Sequence, residues 1–396
     1  MRALHLIFLL AGALLASSWA TPARACSALA RFADGRLDAS QALVDCLQLT
    51  PVGGRLELPP GLYRLHRPLT IARSVTIATA GTVPNSPGCG QSGSRCATLL
   101  LDPRGPTKPR GMAIEVVADR VMLDRLTIRG VGLSGRLRGA CAKPEQRPIG
   151  GGLRVVGVAG FMMRRSVLRD FTCYTALEVT PGARDLRIEK NLFGPNGDHR
   201  PGKMWTDGLT IHDAVGAIVL DNRFVDNTDV QLVLGGCRNC RVERNRLRHS
   251  GAFANAAFAE LMLHAWPNTS GNFTGTMVAD NHIDCGSQRR CGYGIMIGSA
   301  PWYPGPAGGG IVTRNVVRNA LMAINIDALT APMEIRGNKV RASGGRHRSD
   351  CGVRDWPAVN VSPGSAKLLR GDPSDVTEGT VDTRGCLLAR DMVMSD

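Results

Sequence analysis

The chain repeats itself at a period that few folds can accommodate. Six times it places Asn, one residue and then an apolar residue after two short strands of alternating apolar character: Asn191-Leu192-Phe193, Asn222-Arg223-Phe224, Asn245-Arg246-Leu247, Asn281-His282-Ile283, Asn315-Val316-Val317 and Asn338-Lys339-Val340. Ser166-Val167-Leu168 holds the same place one coil earlier. Counted from Ser166, the spacings are 25, 31, 23, 36, 34 and 23 residues, a minimal coil of 23 with insertions of 8 to 13 in the longest turns. Period-two alternation sends one side chain into a stack and the next outward. Units this short cannot bury a face alone, so they stack, with parallel strands about 4.8 Å apart. Asn suits the bend because its amide bonds backbone groups and the amide of the adjoining coil, and because it tolerates left-handed geometry. The expectation is an all-β chain, a right-handed parallel β-helix with a structural Asn ladder.

The ends differ from the middle. Arg2 and His5 precede an apolar run from Leu6 to Trp19, and Ala23-Arg24-Ala25 offers small residues at the −3 and −1 positions of a cut before Cys26. This reads as a secretory signal peptide over 1–25, followed by a secreted or periplasmic chain that is not membrane-embedded. Residues 26–80 read as an N-terminal cap. Within it, Asp38 is the expected N-cap of a helix whose apolar positions are 39, 42, 43, 46 and 47, with Gln41 three residues on. Gly53 to Leu65 reads as a hairpin-like pair of short strands. Coils are expected over 81–343, then one last strand (358–361) and a cysteine-pinned cap or tail over 344–396.

All 12 cysteines stand at or after Cys26, and an even number in an exported chain reads as disulfides. Short spacings pair Cys89 with Cys96, Cys237 with Cys240 and Cys285 with Cys291. Cys141 with Cys173 and Cys351 with Cys386 come next, leaving Cys26 with Cys46. Cys237 and Cys240 also have the spacing of half a metal site, but no second such pair accompanies them. The formal charge of +15 falls to +13 once Arg2 and Arg24 leave with the leader. An excess of this size favours an anionic partner. For an exported protein that partner is an acidic polysaccharide and not nucleic acid. A monomer is expected.

Ala33-Asp34-Gly35, then Asp38-Ala39-Ser40-Gln41-Ala42-Leu43, then Leu58-Pro59-Pro60-Gly61-Leu62-Tyr63 resemble the opening segment of the pectate-lyase-like superfamily. The resemblance covers the first 80 residues by motif and the remainder by repeat pattern. It implies the right-handed β-helix and action on carbohydrate. It does not imply one reaction, since lyases, hydrolases, epimerases and phage tailspikes share the scaffold.

Alignment of the coils on Asn gives the first strand of each as Leu153-Arg154-Val155, Leu177-Glu178-Val179, Leu209-Thr210-Ile211, Leu232-Val233-Leu234, Leu261-Met262-Leu263, Ile295-Met296-Ile297 and Ile324-Asn325-Ile326. Three outward columns are expected. The middle one runs from Arg154 through Glu178 to Asn325. The following one holds Thr180, His212, Gly235, His264, Gly298 and Asp327. The preceding one holds Gly208, Gln231, Glu260 and Gly294. Glycines between the histidines suggest an open floor for a sugar. The flanking turns carry Arg200, Lys203, Trp205, Trp266, Trp302 and Tyr303, and exposed aromatic faces stack on sugar C–H surfaces.

A lyase acting on an acidic polysaccharide neutralises the uronate carboxylate, removes the C5 proton and protonates the leaving oxygen. In that reading His212 or His264 is the base. Arg154, Lys203 or Arg200 meets the carboxylate, Gln231 and Asn325 bond it, and Glu178 with Glu260 offers a Ca²⁺ site. Gly208-Leu209-Thr210-Ile211-His212-Asp213 is similar to a mannuronan C5-epimerase motif at Gly208, His212 and Asp213, but Thr210 and Ile211 replace that family's Asp and Pro. Trp205-Thr206-Asp207-Gly208 and Asn227-Thr228-Asp229-Val230 are similar to polygalacturonase segments, with Asp207 and Asp229 spaced as an inverting pair and Val230 where that family has a second Asp. The lyase is the first expectation and the hydrolase the second. A polysaccharide-binding scaffold without catalysis is the third.

Overall fold

The computed structural model describes residues 26–102, 112–132, 151–200, 204–251, 256–298, 305–349 and 351–388. The signal peptide expected over 1–25, the partner Cys141, and Lys203, Trp302 and Tyr303 lie outside the described residues.

Three all-parallel sheets of 11 strands each enclose one continuous apolar interior, a right-handed parallel β-helix. Each coil lays one strand in every sheet. Tyr174–Val179, Thr206–Ile211, Val230–Leu234, Ala257–Leu263, Cys291–Ile297 and Met322–Ile326 belong to the first sheet, which carries the aligned strands discussed above. Arg187–Glu189, Ile218–Leu220 and Arg241–Glu243 belong to the second, and Arg223–Val225, Arg246–Arg248 and His282–Asp284 to the third. Inward Leu, Ile, Val and Phe fill the interior, where Phe193 stacks on Phe224 with ring centroids 4.7 Å apart. Each such side chain contributes about 1.5–3 kcal/mol when taken from water.

The bend between second and third sheets is the same in every coil from Ser166 onward: two residues, the first at positive φ and the second a ladder residue. Lys190, Asp221, Arg244, Asp280 and Arg314 occupy the first position with φ between 55° and 57°. The ladder is continuous. The Ser166 N–H donates to Asn191 Oδ1 at 3.0 Å, and Asn191, Asn222, Asn245, Asn281 and Asn315 each donate from Nδ2 to Oδ1 of the next rung at 2.9–3.1 Å. The same amides donate to carbonyls of the preceding coil, so buried polar groups are satisfied without water. A second, shorter ladder, unforeseen in the sequence, links Asn196 to Asn227 at 2.6 Å and Asn227 to Gln231.

The helix Ser40–Leu49 buries Leu43, Cys46 and Leu47. Asp38 does not hold its N-cap position. Ala39 does, while Asp38 accepts bonds from the Ser40 N–H at 2.9 Å and from the His66 N–H at 3.2 Å. Arg55–Leu58 and Gly61–Leu65 do not form a hairpin. They lie in different sheets, the second and third, with Pro59-Pro60 as the corner between them. Five expected disulfides are present: Cys26–Cys46, Cys89–Cys96, Cys237–Cys240, Cys285–Cys291 and Cys351–Cys386. The tail is more ordered than expected, adding an antiparallel pair (Gly345–Ser349 with Gly352–Trp356) before the strand Val359–Val361. No described helix is long and apolar enough to cross a membrane.

Candidate active site

The middle outward column is in register as aligned: Glu115 pairs with Arg154, then Glu178, Thr210, Val233, Met262, Met296, Asn325 and Asn360 follow on successive strands. The column expected before it is not outward. Strand pairing skips from Val230↔Ala259 to Leu232↔Leu261, so Gln231 and Glu260 sit in a kink where two consecutive residues face inward. A Cβ on Gly208 would lie 3.0 Å from Phe224 Cδ1, and one on Gly294 would lie 2.3 Å from Val317 Cγ1, both interior side chains. The outward column is one residue earlier, with Thr175, Asp207, Val230, Ala259, Tyr293 and Met322. Alternation alone could not reveal that slip.

A polar cluster occupies the N-terminal half of the outer face. Glu178 is its centre. Its Oε2 accepts from Arg154 Nε at 2.5 Å, its Oε1 accepts from the Tyr174 hydroxyl at 2.8 Å, and His212 Nε2 stands 3.7 Å from Oε1. Arg154 also reaches Glu115 at 3.2 Å. Two protein carboxylates therefore already hold the guanidinium expected to meet a substrate carboxylate. The His212 ring is driven towards its neutral form by burial, against the attraction of Glu178 and Asp213 and with the repulsion of Arg154. Its Nδ1 has no hydrogen-bond partner among the described residues. Tyr174 adopts φ +77°, a strained conformation for an aromatic residue, held by its N–H donating to the Trp205 carbonyl at 3.1 Å. Burial, then Glu178, pushes its hydroxyl up to about 12, so it stays a donor.

One strand on, Asp207 accepts from the Thr210 hydroxyl at 3.0 Å and from the Val230 N–H at 3.1 Å. Desolvation, then the adjoining Asp229 carboxylate and, more weakly, Glu178 push the Asp207 carboxyl well above the ordinary carboxylate range, outweighing those two hydrogen bonds. Asp207 and Asp229 thus crowd two carboxyl groups on adjoining rungs, and crowding of this kind keeps the proton on Asp207. Tyr174 and Glu115 were not foreseen. No sequence pattern signals positive φ at Tyr174, and the coil of Glu115 has Arg125-Leu126 where later coils carry the ladder residue.

The remaining expected site residues lie elsewhere. Glu260 is fully buried and faces His249 Nδ1 at 2.5 Å, and Gln231 caps the second ladder while donating to the Arg248 carbonyl at 3.0 Å. Glu178 faces out and Glu260 in, so the two do not share a Ca²⁺ ion. The Cys285 and Cys291 sulfurs near Glu260 are bonded to one another and offer no thiolate. His264 is also fully buried, its Nδ1 bonded to the Gly298 carbonyl, its ring edge-on to Trp266 at 5.2 Å, and Gly305 directly over it. The open glycine floor is therefore absent: a Cβ on Gly298 would strike the Asp327 carbonyl. Asn325 bonds Asn360 at 2.8 Å, and Asp327 accepts from its neighbouring Ala328 N–H beside a cavity of about 510 Å³ formed with the tail. Both lie several rungs, roughly 20–25 Å, from Glu178. Between them Val230, Val233, Met262, Met296 and Met322 form an apolar patch covered by Trp356, Cys386 and Leu388. Trp205 packs edge-on to His199 at 4.5 Å, and exposed Arg200 clamps Asp198. Of the expected polar face, only its N-terminal end is thus assembled.

The interior His249–Glu260 pair carries a testable pH dependence. Burial opposes the charged imidazole, but the Glu260 carboxylate, its hydrogen bond and Asp226 outweigh it and raise the His249 pKa. A raised folded value contributes stability that is complete below the ordinary histidine value of about 6.5 and is lost as pH rises through the folded value. Urea midpoints of the wild type should fall across that window, and Glu260→Gln should flatten the fall. Equal slopes in the two proteins would refute the assignment.

No family model and no curated protein sequence matches the chain. Solved structures do match in shape. The chain is similar to the Dettilon tailspike protein (TM-score 0.54, 11% identity, 86% of this chain and 63% of that one). It is similar also to the Agl-KA catalytic domain (0.54, 12%, 91% and 69%) and to PfbA, a surface adhesin of Streptococcus pneumoniae (0.51, 12%, 90% and 92%). The chain thus spans less than two-thirds of the tailspike. At these identities the likeness is one of fold alone, the right-handed parallel β-helix.

Proposed function

We propose that this β-helix protein is an exported carbohydrate-active enzyme that cleaves a glycosidic bond with paired carboxyl groups. The observation that carries the reading is the pair of aspartates on adjoining rungs, with Asp207 fixed by the Thr210 hydroxyl and by the N–H of Val230, the residue next to Asp229, where enclosure and the Asp229 carboxylate raise the Asp207 carboxyl. In this reading Asp207 donates its proton to the glycosidic oxygen. Asp229, as carboxylate, takes a proton from the attacking water on the opposite face, the division of labour of an inverting hydrolase. Thr210 and the Val230 N–H fix the Asp207 rotamer, and Glu178 adds negative charge against the oxocarbenium-like transition state. Export is supported by the five disulfides.

The second reading is β-elimination on an acidic polysaccharide. The Tyr174–Glu178–His212 arrangement favours it, since a neutral imidazole and a phenol can serve as base and acid. It ranks second because Arg154 is already engaged by Glu115 and Glu178, whereas elimination needs a free cation for the uronate. Incubation with pectate, alginate and glycosaminoglycans separates the two. New reducing ends without an unsaturated, ultraviolet-absorbing product mark hydrolysis, and the same ends with that product mark elimination. His212→Ala should lower hydrolysis by at most about tenfold, but would lower elimination by about 10²–10⁴. No product from any polysaccharide would leave a binding protein.

A further inference from the structure

Exposed arginines on this protein generally find an acid. Arg129 and Arg169 share Asp170, Arg244 bonds Asp221 through both nitrogens at 2.9 and 3.1 Å, and Arg314 does the same with Asp280 at 2.9 and 2.7 Å. The bend column beside the third sheet thus alternates Asp and Arg, which cancels its charge rung by rung. The outer face of the third sheet itself does not. Arg223 pairs in register with Arg246 and then His282, and Arg248 lies two residues along from Arg246. Arg318 and Lys339 extend the same face over the next two rungs. All six side chains are exposed, and among the described residues none of them makes a hydrogen bond or ion pair. Asp284 is the one acid at these outward positions, and it is bonded to Asn319 and the Gly286 N–H.

Like charges directly opposite on adjoining strands are destabilising. Here Arg223 and Arg246 stand directly opposite, as do Arg318 and Arg341, about 4.8 Å apart on a rigid scaffold that cannot move them away, and Arg248 and Lys339 keep the face basic along five rungs. We propose that this strip is a second binding surface, separate from the Asp207 cluster, and that its occupant is a linear acidic polysaccharide lying along the helix axis. The basic strip, two side-chain columns wide and roughly 20 Å long, matches a linear polyanion, and at one end it borders a shallow cleft of about 510 Å³ where Asp221 and Asp280, the latter bonded to Arg314, stand on the bend side and Arg223 and Arg246 face the sheet. Phe, Tyr and Trp are absent from the outward positions of these rungs, so the strip has neither the stacking platform of a single-stranded nucleic-acid groove nor the apolar wedge of a membrane-surface element. The choice of a carbohydrate rests on the reading of the site above; the choice of a polyanion rests on charge alone. The strip would hold the enzyme on its polymer while the first sheet works on another stretch, so its affinity adds to that of the site.

The test is retention of the full disulfide-bonded protein on immobilised polygalacturonate against uncharged agarose, eluted with NaCl. Wild type should be retained and released by salt, and the triple variant Arg223→Gln/Arg246→Gln/Arg318→Gln should bind about tenfold or more weakly. These positions are surface-exposed, so unfolding temperature and turnover of a short soluble substrate should not change. Asp207→Asn should be retained like wild type, which keeps failure of the strip distinct from failure of the catalytic reading. Equal retention of wild type and triple variant overturns the proposal. Tighter binding to duplex DNA or to phosphatidylglycerol vesicles than to polygalacturonate overturns the assignment of the polymer.

Discussion

Asp207→Asn should lower turnover by about 10²–10⁴ without lowering the unfolding temperature. The two halves of that expectation have one source. A protonated carboxyl and a carboxamide have nearly the same shape, and the Asn carbonyl can still accept from the Val230 N–H while its NH₂ meets the Thr210 hydroxyl. Folding therefore loses nothing, and the reaction loses its proton. The same logic sets the pH profile. The active form of Asp207 is the protonated one, so activity should fall as pH rises through its elevated pKa. Asp229→Asn removes the neighbour that helps to raise it and abolishes the base, so that variant should be inactive as well. Initial rates from acid to alkaline pH, read with unfolding curves at each pH, check the prediction. An Asp207→Asn enzyme with wild-type turnover removes Asp207 from the chemistry.

Asn245→Ala should destabilise the protein by about 3–5 kcal/mol. Asn245 accepts from both the N–H and the Nδ2 of Asn222 at 3.0 Å, and donates from its own Nδ2 to the Val219 carbonyl and to Asn281 Oδ1, each at 3.0 Å. Alanine deletes all four bonds. It strands the Asn222 N–H and the Val219 carbonyl in a dry interior, where each orphaned group costs about 1–3 kcal/mol. Arg223→Ala, one residue from the same ladder but outward, should change stability by no more than about 0.5 kcal/mol. Urea unfolding of both variants decides it. An Asn245→Ala shift as small as that of Arg223→Ala would mean the amides contribute nothing net over water.

The contrast between these positions shows what could be read from residues alone. The ladder was legible because Asn recurs at a fixed place relative to two alternating strands, and stacking then dictates the register from Glu178 to Asn325. Three disulfide pairs were legible because short spacings leave few options, while Cys351–Cys386 was a looser pairing and Cys26–Cys46 the remainder. The kink at Gln231 and Glu260 was not, since two consecutive inward residues break the alternation, and their partners there, Asn227, the Arg248 carbonyl and His249, stand outside the repeated strand pattern. Nor was the apolar patch around Met262 and Met296 seen as covered, because its cover, Trp356 and Leu388, comes from a segment without repeat. Tyr174 was invisible because backbone strain leaves no mark in composition. Arg154 was assigned to substrate because the coil of Glu115, which neutralises it, falls before the ladder begins.

The two-residue bend that the ladder coils, from Ser166 onward, keep between the second and third sheets has a bearing on how such a chain can diversify. That corner is fully committed to bonding with the coils above and below, so an added residue there would break a rung. The variable lengths, from 23 to 36 residues, are all absorbed at the other two corners, the ones that frame the first sheet. Architecture and recognition are thus written into different edges of the same prism. From Ser166 onward that edge takes no insertion, and the long segment 80–96 enters it only before the Asn ladder begins, whereas the other two edges are open to insertion, deletion and grafting without any renegotiation of the stack.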